Sequence, residues 1–274
     1  MKSVRVHGHF GEYLQGRLGP DGPLGLITVP CRGTGLTARL CSGDRQGACP
    51  PERFLRSLGL AGSREIVVCP MSPPGAGTGI STAALIAAAR LHGWEGPPGS
   101  LMAACVAHVR EAYRDVGEVH GEVPCQGASD PLAFPRPERL LWASREGRIL
   151  RRMPALPPHD IVGGYFGPPC ATDPRDLAFP DVSDLARSWA AARKLHAFAE
   201  LASESARRCL QLRGPAGDPT EDLARSLGAL GHVIAHTGSA RGLIFAKGEV
   251  PPDAASALRA AGLTGVRQFG SDDL

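Results

Sequence analysis

Pro73-Pro74-Gly75-Ala76-Gly77-Thr78-Gly79-Ile80-Ser81-Thr82-Ala83-Ala84 sets three glycines at alternate positions and then runs directly into alanine. Glycine admits positive φ and carries no Cβ, so this spacing predicts a backbone that something approaches closely. Upstream, the β-branched run Glu65–Cys69 reads as a strand; downstream, Ile80–His92, closed by Gly93, reads as a helix. A loop between them ends where several helical N–H groups have no intrahelical partner, which suits an anion. Backbone from Pro74 through Gly75, Ala76, Gly77, Thr78 and Gly79 is expected to curl around phosphate oxygens, with the Ser81 and Thr82 hydroxyls available to phosphate or magnesium. Two common phosphate loops do not fit. A Walker loop needs Lys-Ser/Thr after its last glycine, where Ile80-Ser81 stands, and a dinucleotide fingerprint starting at Gly75 needs glycine at Ile80.

Further out, strands are predicted near Ser3–His7, Leu24–Val29, Thr34–Leu40, Arg139–Ala143, Asp160–Tyr165, Gly242–Ala246 and Val266–Phe269. Helices are predicted over Leu101–Val116, from Asp184 to about Leu212 after Ser183, from Glu221 to about Ala235, and over Asp253–Ala261. Strands concentrate before residue 170 and helices after it, which indicates an α+β fold and not a βα repeat. The proline-rich stretch Arg151–His159 marks a boundary between two domains, residues 1–153 and 154–274. Gly163 to Val182 reads as a long loop of the kind that closes over ligands.

The bulk composition removes several classes of function. Among 274 residues, 30 basic and 27 acidic side chains leave a net charge of +3. No run of five like charges appears, so the footprint of a nucleic-acid binder is missing. No segment has the length and apolarity of a secretory core or a membrane span, so a cytoplasmic protein with no membrane partner is expected. The 8 cysteines form no C-x-x-C pair and are read as free, mostly buried thiols.

Against this background the glycine loop resembles the second motif of the GHMP kinases, Pro-x-x-x-Gly-Leu-Gly-Ser-Ser-Ala. Pro73 matches the proline, Gly77 and Gly79 the glycines, and Ser81 the second serine, while Ile80 replaces the first. Two more stretches fall in the family's order. HGHFGEYLQG (His7 to Gly16) resembles the first motif, in the G-x-x-G-E-x-x-Q-G form of the threonine kinases of cobalamin metabolism. GHVIAHTGSARGLIFA (Gly231 to Ala246) resembles the third, a small-residue turn that backs the phosphate site. CQGASDPLAF (Cys125 to Phe134) is similar to the segment carrying the family's catalytic aspartate, which identifies Asp130.

The resemblance implies a two-domain fold: a ribosomal protein S5 domain 2-like N-terminal ATP-binding domain and a ferredoxin-like α+β C-terminal domain. It implies ATP and Mg²⁺ as cofactors, with nucleotide on residues 74 to 79, Ser81, Thr82, Gly238 and Ser239. Ser81 would be the magnesium ligand and Asp130, with Ser81, the catalytic group. The acceptor would meet Glu12, Gln15, Asp130, Thr172, Asp173, His236 and Thr237; a carboxylate and an amide at Glu12 and Gln15 suit a zwitterionic amino acid. L-threonine, converted to O-phospho-L-threonine for the cobalamin aminopropanol linker, is the implied acceptor, with serine, homoserine and polyols left open. Arg241 is read as either an exposed residue at a strand start or a phosphate contact. The assembly is left between monomer and homodimer. Two other readings are carried: a kinase-like sensor without turnover, and an amidohydrolase using His7 and His9 as a metal pair with Glu12.

Overall fold

The computed structural model describes residues 2–41, 51–61, 64–116, 129–170, 176, 178–235 and 237–272. The N-terminal motif and the segments around it form two long antiparallel strands, β1 (Ser3–Arg17) and β2 (Leu24–Leu40). The two strand segments predicted within 24–40 are therefore one strand. A bulge carrying Thr34 and Gly35 links them, because the register slips between His7 opposite Gly35 and Gly8 opposite Cys31. β3 (Ile66–Pro70) and β4 (Leu140–Ala143) pair with opposite ends of β2, and β5 (Arg148–Arg152) adds to β4.

β1 also meets β7 (Gly231–Ile234), which joins β8 (Ala240–Ala246), β6 (His159–Tyr165) and β9 (Thr264–Gly270). Among the described residues one nine-stranded antiparallel sheet results, in the order β5-β4-β2-β1-β7-β8-β6-β9 with β3 beside β2.

Among the described residues seven α-helices cover it: α1 (Glu52–Ser57), α2 (Ile80–Leu91), α3 (Pro98–Val116), α4 (Ser183–Ala191), α5 (Leu195–Arg213), α6 (Thr220–Ser226) and α7 (Ala254–Ala260). The alanine-rich α2 is buried almost all round. Ala83, Ala87 and Ala89 are fully enclosed, and small side chains let the helix axis come close to β1 and β2. Leu36, Leu101 and Trp142 share that cluster. α4 and α5 pack Trp189 and Phe198 against Tyr13, and α6 and α7 pack Ala224, Ala254 and Leu258 against Val162 and Leu243.

Three predicted elements differ. The helix expected from Asp184 to Leu212 breaks at 192–194, where Ala192 and Lys194 are extended. The turn lets Trp189 and Phe198 meet at 4.9 Å between ring centroids, and burial of those aromatics outweighs helix propensity. The helix expected to reach Ala235 stops at Ser226. Gly228, at φ 68, turns the chain, and the apolar run His232–Ile234 becomes β7, paired with β8. Gly231 is needed there because a Cβ would lie 2.3 Å from the Ala199 carbonyl on α5. Gly163–Tyr165, read both as the end of the strand Asp160–Tyr165 and as the start of a loop, belongs to the strand and completes β6.

Of the six described cysteines, Cys31, Cys105 and Cys209 are buried and all six are free. No helix among the described residues is long and apolar enough to cross a membrane.

Candidate active site

The glycine loop has the predicted shape. Gly75, Gly77 and Gly79 take φ of 77°, 73° and 73°, and Gly79 is the residue before α2. No side chain caps that helix start and no acidic residue stands in its first turn. The first-turn amides therefore keep their donors for an anion, and the positive end of the helix dipole faces it.

What approaches the loop is partly the protein itself. A Cβ on Gly77 would lie 2.6 Å from Ala235 Cβ, and one on Gly79 2.8 Å from His9 Cδ2. The third motif closes from behind. A Cβ on Gly238 would lie 2.3 Å from the Gly77 nitrogen, and Ala240 N donates to the Ala76 carbonyl at 3.2 Å. β1 closes from the side, through His9 N donating to the Thr78 carbonyl at 3.3 Å. All three motifs thus meet at one loop.

In front of the loop opens a cleft of about 610 Å³. Of the predicted residues, Glu12, Gln15, Pro74, Gly75, Gly77, Thr78, Gly79, Ser81, Thr82, Asp130 and Thr237 line it. Ala76, Gly238 and Ser239 sit behind the loop: Ala76 and Ser239 are buried, and the Ser239 carbonyl accepts from Phe166 N at 2.8 Å. The Thr78 hydroxyl is held by Ser72 at 2.7 Å, so this residue offers the cleft its main chain. Thr172, Asp173 and His236 lie outside the described residues.

The acidic wall depends on a second bulge. In a regular strand residues 9 and 12 would face opposite sides of the sheet. Gly11, at φ 80, shifts the register between His9 and Glu12 and brings both side chains to the cleft. His9 Nδ1 lies 3.2 Å from Glu12 Oε1 and 3.3 Å from the Gly11 carbonyl, and Nε2 lies 3.5 Å from Asp130 Oδ2. Both ring nitrogens face acceptors, which calls for a proton on each. Burial alone would pull this imidazole down, but the charge and hydrogen bond of Asp130, with the charge of Glu12, push it up to about 9. His9 is therefore an imidazolium at neutral pH, held between two carboxylates.

Thr82 clamps the other side of Asp130. Its hydroxyl donates to Asp130 Oδ2 at 3.4 Å and accepts from Asp130 N at 3.3 Å. The chemistry available is an anion cradle at the helix start and, across the cleft, a carboxylate fixed from two directions beside a second carboxylate.

Two alternatives are corrected. Arg241 is neither exposed nor open to phosphate: it is 4% exposed, its Nε donates to Asp218 Oδ2 at 2.6 Å, and Nη1 bonds the Gly238 and Ala240 carbonyls. The guanidinium ties the third motif to the turn before α6. The amidohydrolase reading fails because the sheet is open and antiparallel, and because His7 turns away from His9 to the Arg32 carbonyl at 3.3 Å.

The position of His9 between Glu12 and Asp130 was not legible from spacing, since the bulge that creates it follows from Gly11 and Ile234 across strands. Ser144 and Arg145 also line the cleft without any signal in the sequence, while Ser129 comes from the segment of Asp130, and Cys170 and Phe179 from the stretch read as a ligand-closing loop.

No protein-family model matches the sequence, and no curated protein does. Solved structures do match along the full length. The mevalonate kinase of Staphylococcus aureus aligns at TM-score 0.55 and 14% identity, over 98% of this chain and 99% of that one. The Methanococcus jannaschii mevalonate kinase aligns at TM-score 0.60 and 10% identity, over 98% and 97%. A Cytophaga hutchinsonii homoserine kinase aligns at TM-score 0.54 and 15% identity, over 98% and 95%. The α+β sheet and its covering helices are thus the GHMP kinase fold over nearly the whole of this chain.

Proposed function

We propose that the chain is an ATP-dependent GHMP kinase that phosphorylates the side-chain hydroxyl of a small acceptor, with L-threonine the first candidate and O-phospho-L-threonine its product. The observation that carries this reading is the single cleft that sets an uncapped helix start and its positive-φ loop opposite a fixed carboxylate. On this reading residues 1–153 and 154–274 act as the two domains of a cytoplasmic enzyme of the type that supplies the cobalamin linker.

The donor set fits the cofactors. A triphosphate suits main-chain amides from Gly75 to Thr82, because nothing acidic stands there and no side chain has taken the donors. Ser81, exposed in the first turn of α2, would hold magnesium, which would neutralise charge on the phosphate oxygens. Asp130 orients the acceptor hydroxyl and takes its proton late, as the oxygen bonds to the γ-phosphorus and the bond to the β-phosphate oxygen breaks. His9 and Thr82 hold that carboxylate in one orientation. Glu12 faces the acceptor's ammonium.

The test is an ADP-release assay across threonine, serine, homoserine and polyols. Acceptor-dependent ATP turnover is expected, fastest with one hydroxy amino acid. ATP consumption indifferent to every acceptor would refute the kinase reading in favour of a sensor.

A further inference from the structure

The cleft has an aromatic wall that the roles above leave unused. Phe179 lines it and is buried, although it stands in a segment, 178–182, that lies outside every helix and strand up to the bridge between Asp181 and Arg17. A ring in such a segment keeps its place only where other groups hold the backbone. Two arginines of α5 do so. Arg213, the last residue of that helix, pairs with the Asp176 carboxylate, donates through Nη1 to the Ala178 carbonyl at 3.2 Å, and lays its guanidinium over the Phe179 ring, 4.7 Å from the centroid. One planar fork thus takes a carboxylate, a carbonyl and a ring face. Ala178 N donates to Asp176 Oδ1 at 2.9 Å and tightens the same turn. Arg208 donates to the Asp181 carbonyl at 2.9 Å and to both oxygens of Asp184 at 2.8 Å.

The ends of this segment lead to the acceptor side of the cleft. Arg17 N donates to the Pro180 carbonyl at 2.8 Å and Val182 N to the Arg17 carbonyl at 2.9 Å, two residues beyond Gln15 on β1. The Asp176 carbonyl accepts from Arg145 Nη2 at 2.6 Å, and the carbonyl of the neighbouring Ser144 accepts from Ser129 N at 3.0 Å, next to Asp130. The triphosphate amides belong instead to the glycine loop and α2. A phenyl ring fixed beside Gln15 limits how far an acceptor reaches from Asp130, whereas a ring free to swing would not. Arg213 itself does not line the cleft, so it acts through Phe179.

We propose that Phe179 sets the upper size of the acceptor and that Arg213 is the positioning residue that holds it there. The inference rests on the kinase reading and adds to it the two residues that fix the size limit.

The experiment compares L-threonine with L-threo-phenylserine, which carries phenyl in place of the methyl group, as acceptors for the wild type, Phe179→Ala, Phe179→Leu, Arg213→Ala and Arg213→Lys. KM for acceptor and for ATP are measured separately. The wild type should prefer threonine by about 10²-fold in kcat/KM. Phe179→Ala should lower that ratio by about tenfold or more by accepting phenylserine, and Arg213→Ala should lower it in the same direction while the Phe179 ring is still present. Both should raise the threonine KM and leave the ATP KM in place. Arg213→Lys keeps the charge but loses the fork, so it should fall between wild type and Arg213→Ala. Should Phe179→Ala fail to fold, Phe179→Leu takes its place. Hydrogen exchange of the Ala178 and Val182 amides should rise about tenfold in Arg213→Ala, with the amides of α2 unchanged. Wild-type turnover of phenylserine as fast as threonine, or a ratio untouched in the Phe179 variants, would overturn the size limit. A ratio and an exchange rate both unchanged in Arg213→Ala would overturn the positioning role, and so would a rise in ATP KM alone. Absence of turnover with either acceptor and with those of the ADP-release assay is failure of the kinase reading, and the exchange measurement then judges the hold on Phe179 by itself.

Discussion

Replacing His9 with Gln takes a positive charge out from between two carboxylates, and the consequence depends on pH in a direction the structure fixes. The imidazole titrates near 6.5 when unfolded and is raised to about 9 when folded, which corresponds to on the order of 3 kcal/mol of stability. Because the folded value is the higher one, this contribution is complete below about pH 6.5. It is lost as pH rises through about 9, when the folded protein too releases the proton. Gln has no charge to lose, so the variant lacks this dependence. Urea unfolding of both proteins, followed by the fluorescence of the buried Trp142 and Trp189, should give a wild-type advantage that shrinks by about 3 kcal/mol between pH 6 and 9.5. A difference between the two proteins that stays constant over that window would show that His9 is neutral in the fold, and the bridge between Glu12 and Asp130 would fall with it. The same variant should lower kcat, since Asp130 would keep only the Thr82 clamp.

Other outcomes follow from the same geometry. Asp130→Asn should cut turnover by about 10² to 10⁴ with nucleotide affinity nearly unchanged, measured by steady-state kinetics and nucleotide titration; full activity would mean that magnesium and positioning suffice. Ser81→Ala should raise the magnesium concentration needed for half-maximal turnover, and an unchanged requirement would count against Ser81 as the ligand. Asp218→Asn leaves the buried Arg241 guanidinium uncompensated and should cost about 3 to 5 kcal/mol in denaturant melts. A phosphate role for Arg241 would instead appear as a weaker ATP affinity at unchanged stability.

How far the sequence carried the fold depended on whether the cause was local. The glycine loop was legible because positive φ at alternate residues and an alanine run against a strand are local demands, and Gly75, Gly77 and Gly79 meet them. β7 was not, because His232–Ile234 is equally apolar as the end of a helix or as a strand. Only pairing with β8 and contact with α5 decide it. The break between α4 and α5 carries no Gly or Pro and answers to aromatic packing from other elements. At the site, Asp130 and Glu12 came from the family resemblance, whereas the place of His9 came from a bulge set by a neighbouring strand. Nothing in the sequence marks Arg145; folding alone buries it at the edge of the cleft.

The most direct test of the central claim is a crystal structure of the protein with magnesium and a non-hydrolysable ATP analogue. The account predicts phosphate oxygens within hydrogen-bond distance of main-chain amides between Gly75 and Thr82, with the terminal phosphate turned toward Asp130. A nucleotide bound away from that loop, with the amides of α2 facing solvent, would contradict it.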